Sequence, residues 1–256
     1  MTHLLQENNL LTNSSQPFAV VVISANGEWR VVRSFYQDAQ IDQTPYGEFF
    51  TAVLSDRPVV FLHGGWGKIA AAASAQYAIT RWNPQVLINL GTCGGFAGLA
   101  QDGLKRGDLL LVERTLVYDI IEQMGDAQAA INHYAVDLDL SWLREPYPQP
   151  VRRSLLVSAD RDICLPDIPM LVEQYNAAAA DWESGAIAWV AARSGVKCLI
   201  LRGVSDLVGE ETGGEAYGDI AFFHEGARIV MQPLLHALPA WLECVRFPDG
   251  PANTAL

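Results

Sequence analysis

Positive charge is scarce in this chain: 17 Lys and Arg stand against 29 Asp and Glu over 256 residues, a formal net charge of -12. No basic block interrupts that balance, so polyanions are repelled on average, and neither nucleic acid nor an anionic membrane is an expected partner. Long hydrophobic runs are missing too. None approaches the ~20 apolar residues needed to cross a bilayer. The four cysteines, Cys93, Cys164, Cys198 and Cys244, lie far apart with no C-x-x-C pair, and they read as reduced thiols of a cytoplasmic protein rather than a disulfide frame. The five histidines show no zinc-ligand spacing, so no metal is expected. The opening MTHLLQENNLLTNSSQP lacks the basic and continuous apolar segments of a secretion signal and reads as a polar tail over residues 1–17.

Several catalytic signatures are absent as well. No G-x-S-x-G elbow occurs, which removes the commonest serine-hydrolase signature. Lys68 is followed by Ile69, not by Ser or Thr, so HGGWGK is not a P-loop. Gly65, Gly67 and Ala70 do satisfy G-x-G-x-x-[GA], but the following strand, QVLINLG, ends on Asn89 and Leu90, without the acid that would grip a dinucleotide ribose. A dinucleotide-dependent oxidoreductase is accordingly a distant reading, and no cofactor is expected.

What remains is an alternation of buried strands and helices. FAVVVISA, QVLINLGTCGG, GDLLLVERTLVYDI, SLLVSAD and VKCLILRGVSD are apolar, β-branched runs. NGEWRVVRSFY reads as a turn and helix, and TAVLSDRPVVFLHGG as a hairpin around Asp56 to Pro58. KIAAAASAQYAITRW, Lys68 to Trp82, is rich in helix formers and is stopped by Asn83-Pro84. WESGAIAWVAAR is a helix ended by Ser194-Gly195, and the C-terminal region is helical with Pro233 and Pro239 interrupting it. Residues 119–150 read as an irregular insertion or lid. Continuous apolar strands between helices imply an α/β fold, a single-domain three-layer αβα sandwich over 18–245 with a twisted, mixed, largely parallel sheet, followed by a short tail, 246–256. Ligands of such sheets bind beyond the carboxyl ends of the strands.

Those ends carry Glu28, the glycines from Gly64 to Gly67, Gly91 to Gly95, and Asp206. Each has an ordinary explanation. Acids in a helix's first turn, as read for Glu28 and Glu183, are favoured by the macrodipole by ~0.3–1 kcal/mol; Asp206 suits a helix N-cap or turn; glycines suit a tight turn from strand to helix. Three carboxylates and a glycine-rich backbone at one end of one sheet fit a ligand site better than coincidence.

Four segments, GGWGKIAAAASAQYAITRWNPQVLINLGTCGG, KRGDLLLVERTLVYD, LLVSAD and DWESGAIAWVAARSGVKCLILRGVSD, resemble the purine nucleoside phosphorylase and nucleosidase superfamily, and within it the methylthioadenosine/S-adenosylhomocysteine nucleosidases. The resemblance implies that Glu183 binds the ribose hydroxyls, that Asp206, oriented by Ser205, protonates purine N7, and that Glu28 activates water. It extends the substrate-binding set to Trp182, Gly65, Thr92, Cys93, Gly94, Asp162 and Ile163. It also implies a homodimer, because the family closes its sites with a neighbouring subunit. Carboxylates suit the chemistry: cleavage of an N-glycosidic bond builds positive charge on the sugar, and an acid on the base makes the leaving group neutral.

The hexameric phosphorylases of the superfamily carry arginines in the first loop and two residues before the glycine turn; here those places hold SANGEW and Asn89. Water is therefore expected as nucleophile, with a phosphate-dependent phosphorylase as the alternative and a non-catalytic nucleoside sensor as an alternative of another class. The nucleosidases' aromatic that stacks on adenine is replaced by Asp162, the methionine before the ribose glutamate by Trp182, and a serine of the first glycine turn by Gly64. These positions leave the base and the 5'-substituent open.

Overall fold

The computed structural model describes residues 16–97, 103–209 and 211–247. The expected tails therefore fall largely outside the described residues.

Strand β1 (Ala19–Ile23) is buried along its whole length. Its side chains divide by parity: Ala19, Val21 and Ile23 enter one core, Val20 and Val22 another. A period of two does this to any strand covered on both faces. β5 (Val86–Phe96) and β10 (Lys197–Gly209) split the same way, with Val86, Ile88, Leu199 and Leu201 on the first face and Leu87, Cys198 and Ile200 on the second. Helices α1 (Asn26–Phe35) and α6 (Ile220–Glu243) cover the first face; α2 (Lys68–Trp82) and α5 (Ser184–Arg193) cover the second. Two shorter helices, α3 (Ala127–Tyr134) and α4 (Ile168–Tyr175), complete the set.

The sheet is mixed. β1 pairs in parallel with β4 (Arg57–His63) and with β5, while β3 (Glu48–Leu54) runs antiparallel to β4 and to the short edge strand β2 (Asp42–Gln43). Beyond β5 the sheet curls. β10 pairs with β5 and with β6 (Leu109–Val117), β6 with β7 (Val136–Asp137) and β8 (Arg152–Ser158), β8 with β9 (Ala177–Asp181), and β9 returns to β5 at Gly94 and Gly95. Five strands thus close a ring, with β11 (Gly213–Gly214) added at the end of β10. The ring brings the ends of β5, β8, β9 and β10 to one mouth.

One expectation holds residue for residue, and another, the hairpin expected around Asp56 to Pro58, is present with its turn shifted toward the N-terminus, since Arg57 and Pro58 already belong to β4. α2 spans Lys68–Trp82 and ends at Asn83, whose left-handed φ of 45° closes the helix. The hairpin turns on Ser55 and Asp56, at φ 47° and 57°, the paired positive values that match a tight turn to strand twist.

Three expectations need correction. The glycines of GTCGG do not form a turn, because β5 continues through them to Phe96. α6 runs unbroken through Pro233 and Pro239; each proline removes one backbone bond, but a buried face including Val230, Leu234, Leu238 and Trp241 holds the helix on the sheet. Residues 119–150 are not a lid over the cavity described below. Leu140, Trp142 and Leu143 are buried in the first core, and Leu143 bridges Val245 beyond α6. Among the described residues no helix is long and apolar enough to cross a membrane.

Candidate active site

Glu28 sits three residues into α1, directly after β1 delivers the chain to the mouth of the ring. There it does more than serve its helix. Its Oε2 accepts from the amide of Ala25 at the N-cap (3.2 Å), as a first-turn acid should. Its Oε1 accepts from the amide (2.6 Å) and the hydroxyl (2.9 Å) of Thr92 on β5. The side chain is 2% exposed. Three donors fix its carboxylate and leave acceptor capacity on Oε2.

Glu183 occupies the N-cap of α5, not its first turn, and its carboxylate does not cap that helix. Instead Oε1 accepts from the amide of Gly67 (2.9 Å) at the start of α2. Gly67 has φ 86°, a backbone angle that side chains rarely tolerate, so the glycine lets this amide face the acid. Burial is the main reason that the carboxyl of Glu183 is pushed up to about 8, with Asp181 adding to the rise and Arg202 and the Gly67 bond opposing it. Beside it, the rings of Trp182 and Trp66 meet at 5.6 Å.

Between these acids lies a residue that the sequence reading passed over. Arg202, in the middle of the apolar LILRGVS of β10, is 1% exposed. Its Nη2 donates to Asn89 Oδ1 (2.6 Å) and pairs with Asp181 Oδ2 (2.9 Å), its Nε donates to Ser184 Oγ (2.9 Å), and its Nη1 stands 3.8 Å from Glu28 Oε1. Ser158 and Ser184 donate to Asp181 in turn. The guanidinium crosses β5 at Gly91, where any Cβ would overlap it. A buried cation survives only when it is paired and hydrogen-bonded, so a lone arginine in an apolar strand was itself the missed signal.

Asp206 belongs to the same strand, which does not end there but runs on to Gly209. The register against β5 shifts between Val204 and Asp206, so Ser205 forms a bulge, a device that re-aims side chains. Ser205 Oγ donates to Asp206 Oδ1 (2.6 Å) and Asp206 Oδ2 has no hydrogen-bond partner among the described residues. Burial chiefly raises the carboxyl of Asp206 above its usual range; the Ser205 bond opposes this, while Glu215 and Asp162 add to it.

Glu28, Glu183 and Asp206 line one cavity of about 750 Å³, with Arg202 behind its wall. Its wall includes Glu28, Thr92, Cys93, Gly94, Asp162, Ile163, Trp182, Glu183, Ser205 and Asp206. Gly65 does not line it; at φ 77° that residue serves the turn into α2. Cys93 is buried, its thiol pushed well up by desolvation, so it contributes wall, not a nucleophile. All four cysteines are unpaired. The sequence reading also missed Tyr217, Phe223 and Trp66 on the wall. Asp162 is exposed and has no hydrogen-bond partner among the described residues.

Chemically, the cavity offers one raised acid with a free oxygen, one fixed carboxylate beside a buried cation, and a third acid between tryptophans and a helix start. Known proteins share the frame. The chain is 30% identical over 206 residues to a 5'-methylthioadenosine/S-adenosylhomocysteine nucleosidase of Staphylococcus aureus, covering 76% of this chain and 87% of that one. Its fold matches the Campylobacter jejuni enzyme of the same name at a TM-score of 0.69 and 20% identity, over 88% and 99% of the two chains. A futalosine hydrolase mutant of Helicobacter pylori matches equally at 0.69, with 18% identity over 87% and 98%. The sequence profile of the phosphorylase superfamily matches residues 17–238, and the chain belongs to that superfamily.

Proposed function

We propose that the protein is a nucleosidase that hydrolyses the N-glycosidic bond of a purine nucleoside or 5'-thionucleoside of the methylthioadenosine/S-adenosylhomocysteine kind, releasing free base and free sugar. The observation that carries this reading is the convergence of Glu28, Glu183 and Asp206 on one cavity. As the bond between C1' and the purine breaks, its electron pair goes to the base, and Asp206 gives its proton to N7. The raised carboxyl of Asp206 suits a group that must hold a proton near neutral pH. Glu28 takes a proton from the water that attacks C1', and Glu183 accepts hydrogen bonds from the ribose hydroxyls. Trp66 and Trp182 give the sugar end an apolar wall that favours a thioether substituent over a bare hydroxyl.

Water is favoured over phosphate by the disposition of cations. Arg202 is engaged by Asp181, Asn89 and Ser184, and Arg161, which lines the cavity, pairs with Asp167. A phosphate nucleophile would need free guanidinium partners there. Phosphorolysis is kept as a second reading because Arg30 also lines the cavity.

The working form is a homodimer in the cytoplasm. In support, Ile69, Ile121 and Met124 are large apolar side chains left 84%, 74% and 97% exposed, and the Lys68 to Asp119 ion pair draws their two segments together. Sedimentation of the purified protein tests this: a monomer across the micromolar range contradicts it. The activity is tested with methylthioadenosine, S-adenosylhomocysteine, adenosine and inosine, with and without phosphate. Base release that ignores phosphate is expected, fastest on the thionucleosides; strict phosphate dependence overturns hydrolysis. Asp206→Asn is expected to lower kcat by ~10²–10⁴-fold, and full activity in that variant removes Asp206 from the mechanism.

A further inference from the structure

The end of the cavity that holds Asp206 has a lip made by the connection between β10 and α6. β11 pairs back on β10 through Gly214 and Val208. The amide of Glu215 donates to Leu207 O (3.2 Å), and the amide of Leu207 donates to Glu215 Oε2 (2.7 Å). A turn closed by the Tyr217 amide on Gly214 O (3.0 Å) then swings Tyr217 across the strand that carries Asp206. Its ring lies flat against Gly214, where any Cβ would overlap it. The hydroxyl reaches the opposite lip and donates to Ile163 O (2.7 Å), one residue after Asp162. Burial, then Asp162 and Asp206, push the phenol of Tyr217 up, so it stays a donor at any working pH.

Among the described residues, Trp66, Trp182, Tyr217 and Phe223 line the cavity, with His224 beside Phe223. The two tryptophans pack on each other beside Glu183, and Phe223 lies over Gly27 of α1. Among these described rings, Tyr217 is the one tied to the end where Asp206 stands. We propose that Tyr217 is a base-binding residue: its ring, pinned by the Ile163 carbonyl, stacks on the purine while Asp206 addresses the edge of that base. This rests on the reading of the cavity as a purine nucleoside site. A ring tethered at both ends loses little freedom on binding, and aromatic stacking tolerates different purines because every base has a π-face.

The test compares wild type, Tyr217→Ala and Tyr217→Phe in steady-state hydrolysis and in equilibrium dialysis against adenine and against the released sugar. Tyr217→Ala is expected to raise KM about 5- to 150-fold, the range of lost base stacking, with kcat within about threefold. It should weaken adenine binding by the same factor and leave sugar binding unchanged. Tyr217→Phe keeps the ring and should lose no more than about tenfold, the range of one hydrogen bond. If wild type turns over but Tyr217→Ala keeps its KM within twofold, or loses adenine and sugar binding alike, Tyr217 is only a packing residue and the inference fails. If wild type releases no base from any purine nucleoside, the cavity reading itself fails, and this one with it.

Discussion

The two ends of the cavity are built differently. At the end proposed for the sugar, Glu28 is held by three donors and Arg202 by Asp181, Asn89 and Ser184, all but inaccessible to water. At the base end, Asp162 is exposed and unpartnered among the described residues, and Tyr217 reaches in from a connection. Rigid, fully satisfied networks hold a reacting group in one geometry; loop residues can change without cost to the core. On the proposed function, the buried acids, Asp206 at the base end included, carry the reaction chemistry, and the exposed rim with Asp162 and Tyr217 carries base selection.

The sharpest way to break this contrast is Glu28→Gln. It should reduce kcat by ~10²–10⁴-fold and cost only about 1–2 kcal/mol of stability, because the amide oxygen of glutamine still accepts from Thr92 while the bond from the Ala25 amide is lost. An active Glu28→Gln enzyme would remove the proton acceptor from the sugar end.

Arg202→Leu should next lose about 3–5 kcal/mol of stability in urea denaturation, since it strands Asp181 and Glu28 without their cation. A loss below about 1 kcal/mol would mean that the network is not what fixes this end.

Glu183 tests the proposed sugar end through pH. Its folded carboxyl titrates near 8, far above the unfolded 4.5, so between those values the native state holds a proton that the unfolded chain has lost. Stability due to this group is full below about 4.5 and falls as pH rises toward 8. Glu183→Gln should therefore gain melting temperature over wild type, and the gain should grow from pH 5 to pH 8. Ribose hydroxyls that donate to Glu183 favour its ionised form, so substrate affinity should rise with pH up to about 8 and level off, and this dependence should vanish in the variant. A flat profile in wild type would separate Glu183 from the sugar.

The smallest effect is expected at Asp162. Asp162→Asn should change stability by no more than about 0.5 kcal/mol. Asp162 helps raise Asp206, so the fall of kcat at high pH should move to lower pH in the variant. A shift upward would contradict the placement of the two acids.

The same contrast explains what the sequence disclosed. α2 was legible to the residue because an alanine-rich run met Asn83-Pro84, and the hairpin because Ser55-Asp56 separates two apolar runs. Glu28, Glu183 and Asp206 were legible from their places at the ends of strands and helices together with the resemblance to the nucleosidases, and the cavity wall includes all three. Arg202 was hidden by its neighbours: in LILRGVS it passes for one polar residue in a buried strand until Asp181 and Asn89 arrive from other elements. The ring was equally hidden, since Ala177–Asp181 has the composition of a helix and becomes a strand only by pairing with β5 and β8. Tyr217 was hidden because YGDIAFF reads as the start of the C-terminal helix; the helix begins at Ile220, capped by Asp219, which leaves Tyr217 in the connection beside β11.

The most direct test of the central claim is the fate of the attacking oxygen. Turnover of methylthioadenosine in ¹⁸O-labelled water, with phosphate present, should yield adenine and a free sugar carrying one ¹⁸O at C1 in the mass spectrum. An unlabelled sugar 1-phosphate, formed only when phosphate is supplied, would contradict hydrolysis and place the protein among the phosphorylases.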